Sequence, residues 1–234
     1  GVAQEGCNVA LLERSEDKLK QVRYALTNNG KQHHSYIVAD FTQPETVAEA
    51  VKKANTVFHI LINNTGGPPG GALVEADVNA FAKAFTQHLQ TNHVLAQTLI
   101  PGMKEAGYGR IINVISTSVK QPLDGLGVSN TIRGAVANWS KTMANELGAY
   151  GITVNNVLPG ATATGRLSEI IANKAKKTGK TEAEVSKQMQ QASPAQRFAQ
   201  PKEIANAIVF LASGAAAYIN GINLPVDGGR TKSL

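Results

Sequence analysis

Three polar residues with regular spacing could carry out chemistry in this chain of 234 residues. Ser116 ends an apolar run, Ser129 follows thirteen residues later, and Arg133 lies four residues after Ser129. Two hydroxyls can hold a carbonyl oxygen, and a guanidinium one helical turn from Ser129 adds fixed positive charge and hydrogen-bond donors. An alkyl hydroxyl is a weak acid and arginine keeps its proton, so we expect a proton to arrive through water near Asn92 or from Lys120.

A parallel sheet covered by helices is the predicted scaffold for these residues. Hydrophobic residues make up 42% of the chain and aromatic residues only 5%, which suits a core of Val, Ile, Leu and Ala. Short β-rich runs alternate with helical patterns, and several are almost continuously apolar, as in strands covered on both faces. Strands are predicted near 8–14, 36–40, 57–64, 110–116, 153–159 and 222–227. The alternation predicts one α/β domain over residues 1–234, a doubly wound parallel sheet of the Rossmann type.

The helical segments have recognisable starts and apolar stripes. Thr42-Gln-Pro-Glu45 predicts a capping box that opens a helix running to about Ala54, and Pro201 suits the first turn of another helix. Apolar stripes follow the segments 78–106 and 130–148. Because these stripes exceed what one sheet face can cover, we expect the chain to associate as a homodimer or homotetramer.

Five short motifs, in this order along the chain, resemble those of the short-chain dehydrogenase/reductase family. They are Asn63-Asn64-Thr65-Gly66, Gln90-Thr-Asn92, the Ser116 to Arg133 spacing, Pro159-Gly160-Ala-Thr162-Ala-Thr164 and Pro225-Val-Asp-Gly-Gly229. In most members of the family, the second and third residues of this three-residue set are Tyr and Lys. Here they are Ser129 and Arg133, as in a subgroup similar to 3-oxoacyl-[acyl-carrier-protein] reductase. The resemblance implies hydride transfer between NADP(H) and a carbonyl or alcohol, with a 3-oxoacyl thioester as one substrate class.

The resemblance also implies roles for individual residues. Asn92, Ser116, Ser129 and Arg133 are the expected catalytic set, in which the two serines hold the carbonyl oxygen and Arg133 holds the nicotinamide ribose. The expected cofactor contacts come from strand ends and loops: Asp40 at the adenine amine, Asn64 and Gly66 beside the adenosine ribose, and Pro159, Gly160, Thr162 and Thr164 around nicotinamide and pyrophosphate. The segment 165–200 is the expected substrate lid.

The end of the first strand in this sequence bears on cofactor choice. Glu13 stands where an acid would hold both hydroxyls of an NAD ribose, and Arg14 stands where a cation would pair with the NADP 2′-phosphate. Arg14 followed by Ser15 is similar to NADP-using members of the family. We therefore expect NADP, with NAD as the alternative.

The start of the sequence lacks one expected feature. A doubly wound nucleotide fold opens with a strand, a glycine-rich turn and a helix whose N-terminus receives the pyrophosphate. Here Gly1 to Gly6 resembles the last turn of that helix, leading directly into the strand that contains Glu13. We expect about twenty residues, carrying the first strand and the glycine-rich loop, to precede Gly1.

Composition argues against several other classes of protein. Cys7 is the only cysteine, so neither an intrachain disulfide nor a cysteine–histidine metal site is expected, and we assign no chemistry to the five histidines. Much of the net charge of +6 belongs to lysines between 174 and 187 without interleaved aromatics, which favours a solvated helix face over nucleic-acid binding. No apolar run is long enough to span a membrane, and we expect a cytoplasmic protein.

The alternative function is dinucleotide binding without turnover, as a sensor or partner subunit.

Overall fold

The computed structural model describes residues 1–233, and its strands pair in parallel throughout. The strands are β1 (Ala10–Glu13), β2 (Ser35–Val38), β3 (Ile60–Asn63), β4 (Gly109–Val114), β5 (Ile152–Pro159) and β6 (Asn223–Val226). β1 pairs with β2, and β3, β4, β5 and β6 form a second sheet in that order. All six strands lie where the sequence predicts them.

Helices connect the strands and cover both faces of the sheets. They are α1 (Glu16–Ala25), α2 (Pro44–Lys53), α3 (Val78–Phe85), α4 (Thr91–Glu105), α5 (Gly127–Leu147), α6 (Gly165–Thr178), α7 (Glu182–Gln191) and α8 (Pro201–Ala212). A π-helical turn, Thr86–Gln90, joins α3 to α4 without a break. One apolar cluster packs α2, α4 and α5 against β4 and β5, and another packs α8 against the opposite face. The predicted doubly wound α/β architecture is confirmed.

Four strand edges have no strand partner within residues 1–233, among them one edge each of β1 and β3. β1 pairs only with β2, and β3 pairs only with β4. The apolar residues of β1 and β3 are only partly buried, whereas β4 is buried almost along its whole length. Leu12 of β1 and Leu61 of β3 nevertheless pack against the same apolar cluster. Both sheets therefore contribute to one core, and the strand expected before Gly1 stays a prediction.

The predicted capping box of α2 is wrong. The helix begins at Pro44 with Gln43 as its N-cap residue, and no side chain caps it. Thr42 lies outside the helix because its backbone N–H donates to the Asp40 carboxylate at 2.9 Å. Pro44 lacks an N–H, so the first turn needs one acceptor fewer than usual.

A ladder of four asparagines crosses the larger sheet and fixes α5 to it. Asn63, Asn113, Asn156 and Asn223 occupy paired positions on β3, β4, β5 and β6, and side-chain hydrogen bonds of 2.8 to 3.1 Å join each to the next. Asn113 also donates to the Ser140 hydroxyl of α5 at 2.9 Å. Such fully paired buried networks stiffen a core. The ladder therefore fixes the helix that carries Ser129 and Arg133.

The lysine-rich segment is exposed as predicted, whereas the apolar stripe of α5, expected to drive association, is largely buried. Lys174, Lys176, Lys177, Lys180 and Lys187 are all exposed on α6, α7 and the turn between them, as predicted. The stripe of α5, in contrast, is largely buried within the monomer, through Ile132, Val136, Met143 and Leu147. Within the described part of the chain, no helix is both long enough and apolar enough to cross a membrane.

Candidate functional site

Ser116, Ser129 and Arg133 lie where β4 ends and α5 begins. Ser116 follows the last residue of β4 by two positions, and its hydroxyl accepts a hydrogen bond from the Ser118 N–H at 3.1 Å. Ser129 and Arg133 lie one turn apart near the start of α5. The carboxyl end of a parallel strand is where doubly wound folds bind ligands.

Arg133 is a buried cation without a counter-ion. Its side chain is 8% exposed, and its guanidinium donates to the backbone carbonyls of Val114 and Thr65 at 3.2 and 3.1 Å. The three ion pairs found among residues 1–233 lie elsewhere, on the exposed surfaces of other helices and loops. Burial lowers the pKa of Arg133 to about 10, so the group stays charged at neutral pH. An unpaired buried charge is costly, and an electron-rich ligand oxygen would offset that cost.

The loop after β3 passes directly beside this pair. An added Cβ at Gly67 would lie 3.8 Å from Ser129 Oγ and 3.7 Å from Arg133 Nη2. Thr65, two residues earlier, supplies the carbonyl that Arg133 binds. The loop that contains the predicted Asn64 and Gly66 is therefore anchored to α5, and both of these residues are exposed.

Asn92 is buried one residue into α4, directly after the π-helical turn. The residue is 4% exposed, and its Oδ1 has no hydrogen-bond partner. The adjacent Thr91 hydroxyl donates to the carbonyl of Phe41, which ties the turn to the loop after β2. Single π turns within α-helices occur frequently at functional sites.

The predicted adenosine-binding residues lie at the ends of β1 and β2. Glu13 folds back, and its carboxylate accepts from the Ser15 N–H at 2.6 Å, whereas Arg14 is exposed. Hydrogen bonds from Thr42 lower the pKa of Asp40, and the charges of Arg14 and Lys83 add to the effect. Because β1 pairs with β2 and the Ala39 N–H donates to the Glu13 carbonyl, Arg14 and Asp40 follow neighbouring strand ends.

The loop after β5 packs closely against the residue that follows β6. An added Cβ at Gly160 would lie 2.7 Å from the Asp227 Cα, so only glycine fits beside Pro159. The Thr162 hydroxyl donates to the Gly160 carbonyl, and Thr164 caps α6. Cofactor contacts of these two threonines stay a prediction.

The expected lid forms its own small core. α6 and α7 bury Leu167, Ile171, Ala175 and Val185 together. A capping box between Thr181 and Glu184 begins α7. The segment therefore has a small apolar core of its own, and its movement as a lid stays a prediction.

Sequence reasoning missed Thr65 and His88. His88 is 1% exposed, and its Nδ1 lies 2.5 Å from the Thr65 hydroxyl. Our assignment of no chemistry to the histidines overlooked that His88 precedes Asn92 by four residues. That spacing places the two side chains on one face of a helix, and it could have drawn attention to His88.

Comparisons with known proteins cover almost the whole chain. The family model described as enoyl-(acyl carrier protein) reductase matches residues 1–231. An uncharacterized oxidoreductase of Mycobacterium tuberculosis is 31% identical over 98% of this chain and 84% of its own length. A 3-oxoacyl-[acyl-carrier-protein] reductase of Vibrio cholerae is 31% identical over 97% of this chain and 88% of its own. L-sorbose reductase from Gluconobacter frateurii, solved with NADPH and L-sorbose, has a TM-score of 0.92 at 30% identity, covering 100% of this chain and 90% of that one.

Proposed function

Because this chain belongs to the short-chain dehydrogenase/reductase family, we propose that it is an oxidoreductase that interconverts a carbonyl and an alcohol with NADP(H). One observation carries the proposal. The buried, unpaired Arg133 and the adjacent Ser129 lie beside the loop after β3, at the carboxyl ends of β3 and β4. A site of this kind attracts an oxygen atom that gains negative charge during a reaction.

The residues present fit a dinucleotide along this edge. Exposed Arg14 suits the 2′-phosphate of NADP, Asp40 lies nearby for the adenine amine, and Asn64 and Gly66 leave room for a ribose. Arg133 is the residue proposed to hold the nicotinamide ribose. When bound, the cofactor supplies or accepts the hydride.

The side chains of this chain then have three tasks in the reduction direction. Ser116 and Ser129 orient the carbonyl oxygen through their hydroxyls, and Arg133 stabilises the negative charge that develops on it. Arg133 keeps its proton, because its pKa of about 10 lies well above neutral. The proton is proposed to arrive through water near Asn92 or from Lys120, as the serine hydroxyls are weak acids.

The substrate class is proposed from chemistry and resemblance. The lid combines apolar residues with exposed lysines, which suits an acyl chain on an anionic carrier or thioester. A sugar ketone is the second class, because the reductase solved with L-sorbose is similar over the entire chain. The competing proposal is dinucleotide binding without turnover, and the replacement of the usual Tyr by Ser129 favours it.

The test is a titration of the full-length protein with NADPH, followed by reaction with a panel of a 3-oxoacyl thioester, a sugar ketone and a simple ketone. Micromolar binding with turnover of a panel member supports the oxidoreductase. Binding with no turnover supports the non-catalytic protein. Absence of binding contradicts both.

A further inference from the structure

His88 is a buried histidine in the centre of the π-helical turn. Its Nδ1 contacts the Thr65 hydroxyl, and its Nε2 is buried without a hydrogen-bond partner. An unsatisfied buried nitrogen is unfavourable, so its presence calls for an explanation.

The protonation state of His88 argues against a role as the proton donor of the reaction. Burial, and next the positive charge of Arg133, lower the pKa of His88 to about 4. The ring is therefore neutral at neutral pH and carries a single N–H. A proton donor works best when its pKa is close to the working pH, so His88 is a poor candidate for the missing acid.

Thr65 connects His88 to the catalytic pair. The hydroxyl of Thr65 meets the imidazole, and its backbone carbonyl accepts from Arg133 Nη2 at 3.1 Å. Gly67, two residues on, lies against Ser129 Oγ. A shift of Thr65 would therefore move an acceptor of Arg133 and the loop that faces Ser129.

Asn92 has the complementary unsatisfied atom. Its Oδ1 is buried and can only accept a hydrogen bond, and it follows His88 by four residues. Side chains spaced in this way have Cβ atoms roughly 5–6 Å apart on a helix, close enough to interact directly or through one bridging molecule. If the Thr65 hydroxyl donates to Nδ1, then Nε2 carries the hydrogen and needs an acceptor. One water molecule that accepted from Nε2–H and donated to Asn92 Oδ1 would satisfy both atoms.

We propose that His88 is a positioning residue of this active site, which accepts a hydrogen bond from Thr65 and shares one buried water molecule with Asn92. These hydrogen bonds would hold Thr65, Arg133 and Asn92 in fixed positions relative to Ser129. The structural part of this proposal, the hydrogen bonds of His88, is argued from the buried contacts of His88 with Thr65 and of Thr65 with Arg133. Its catalytic part, the effect on turnover, rests on the proposed function.

The structural part is tested on the native protein without cofactor or substrate. Nitrogen-15 NMR of labelled histidines identifies which ring nitrogen of His88 is protonated, with His88→Asn used to assign the signal. We expect hydrogen on Nε2, a cross-peak from that proton to a long-lived water, and no titration between pH 8 and 5. Hydrogen on Nδ1, or titration within that range, would overturn the proposal.

The catalytic part is tested with two variants and a matched control. His88→Asn can keep a contact to Thr65 but lacks Nε2, and His88→Leu lacks both nitrogens. The control, His93→Asn, places the same change at His93, five residues further along. His93 is exposed, and its ring accepts a hydrogen bond from Trp139. We expect kcat to fall about tenfold in His88→Asn and further in His88→Leu, with KM changed less than threefold and native values for His93→Asn.

The outcomes separate the two proposals. Native kcat in a folded His88→Asn variant would overturn the positioning role. If His88→Leu does not fold, the Asn variant and the NMR signals of the native protein still decide. An inactive native protein that shows the expected tautomer and water contact would contradict the proposed function and support the structural unit.

Discussion

Ser129 lies where a proton donor is expected, yet its hydroxyl is a poor acid. A tyrosine phenol has an ordinary pKa near 10 and a neighbouring cation lowers it further, whereas an alkyl hydroxyl ionises far less readily. Arg133 offers charge and hydrogen bonds, but burial leaves its pKa at about 10, so it does not release its proton. We therefore expect slow reduction of simple ketones by the native protein.

Ser129→Tyr combined with Arg133→Lys should raise ketone reduction at least tenfold. A positioned acid contributes about 10²–10⁴ to the rate, and the new side chains would sit one helical turn apart on α5. Steady-state kinetics with one ketone at saturating NADPH would measure the change. The control is Ser129→Phe with Arg133→Lys, which adds the ring without the acid and should show no gain. Equal rates in the two double variants would contradict this account of the proton.

Arg14→Ala should weaken NADP binding roughly ten- to a hundredfold and leave NAD binding almost unchanged. A charge-assisted hydrogen bond to a phosphate contributes about 1.5–3 kcal/mol, and Arg14 is exposed at the end of β1. Fluorescence titration with both cofactors measures the effect. Arg23→Ala, an exposed arginine of α1 stacked on Tyr36, is the matched control. Equal losses for NADP and NAD would show that Arg14 does not bind the 2′-phosphate.

Residue-level reasoning from the sequence was strongest where side chains follow a strand. Ser116, Asp40 and Asn64 could be placed at strand ends because apolar runs mark where buried strands stop. His88 could not be interpreted in the same way, since its role depends on Thr65, 23 residues away in the chain. The contact between two distant segments and the burial of a side chain arise only in the folded chain, so a local sequence pattern does not predict them.

At the level of elements, the asparagine ladder is the feature that links the sheet to the candidate site. Asn113 is fully buried, and its side chain bonds to Asn63, Asn156 and Ser140. Strand periodicity predicts each of these positions as part of a strand, but only the register places the four amides in one row. Sequence analysis therefore located the strands and missed the ladder.

Asn113→Ala should lower the free energy of unfolding by about 3 kcal/mol. The substitution removes three hydrogen bonds and leaves the buried Asn63 amide nitrogen without its acceptor, whereas Asn156 Oδ1 and the Ser140 hydroxyl stay bonded to each other. Each unsatisfied buried group costs roughly 1–3 kcal/mol. Urea unfolding followed by circular dichroism measures the loss. Asn138→Ala, on the exposed side of α5, should change stability by no more than about 0.5 kcal/mol. Similar values for both variants would show that the ladder contributes little.

At the level of the whole molecule, exposed apolar side chains show where association would occur. The α5 stripe is largely covered by the monomer itself, but Leu73, Val74, Val78 and Phe85 remain exposed, three of them more than half. Contiguous exposed apolar surface commonly marks a protein interface. The predicted homodimer or homotetramer would therefore use α3 and the residues that precede it.

Val78→Asp should reduce the associated species to monomer at micromolar concentration, because a charge would be buried at the interface. Light scattering coupled to size-exclusion chromatography measures the mass, with two or four times the monomer mass expected for the native protein. Val22→Asp, on the half-exposed surface of α1, is the control and should leave the mass unchanged. A native protein that stays monomeric would remove this prediction.

The most direct test of hydride transfer uses NADPH that carries deuterium at the transferable C4 position. The full-length protein is incubated with this cofactor and the best carbonyl of the panel, and the alcohol is analysed by mass spectrometry. We predict one deuterium on the carbinol carbon, formed much faster by the native protein than by Ser129→Ala. An unlabelled product, or native labelling rates in Ser129→Ala, would contradict the account.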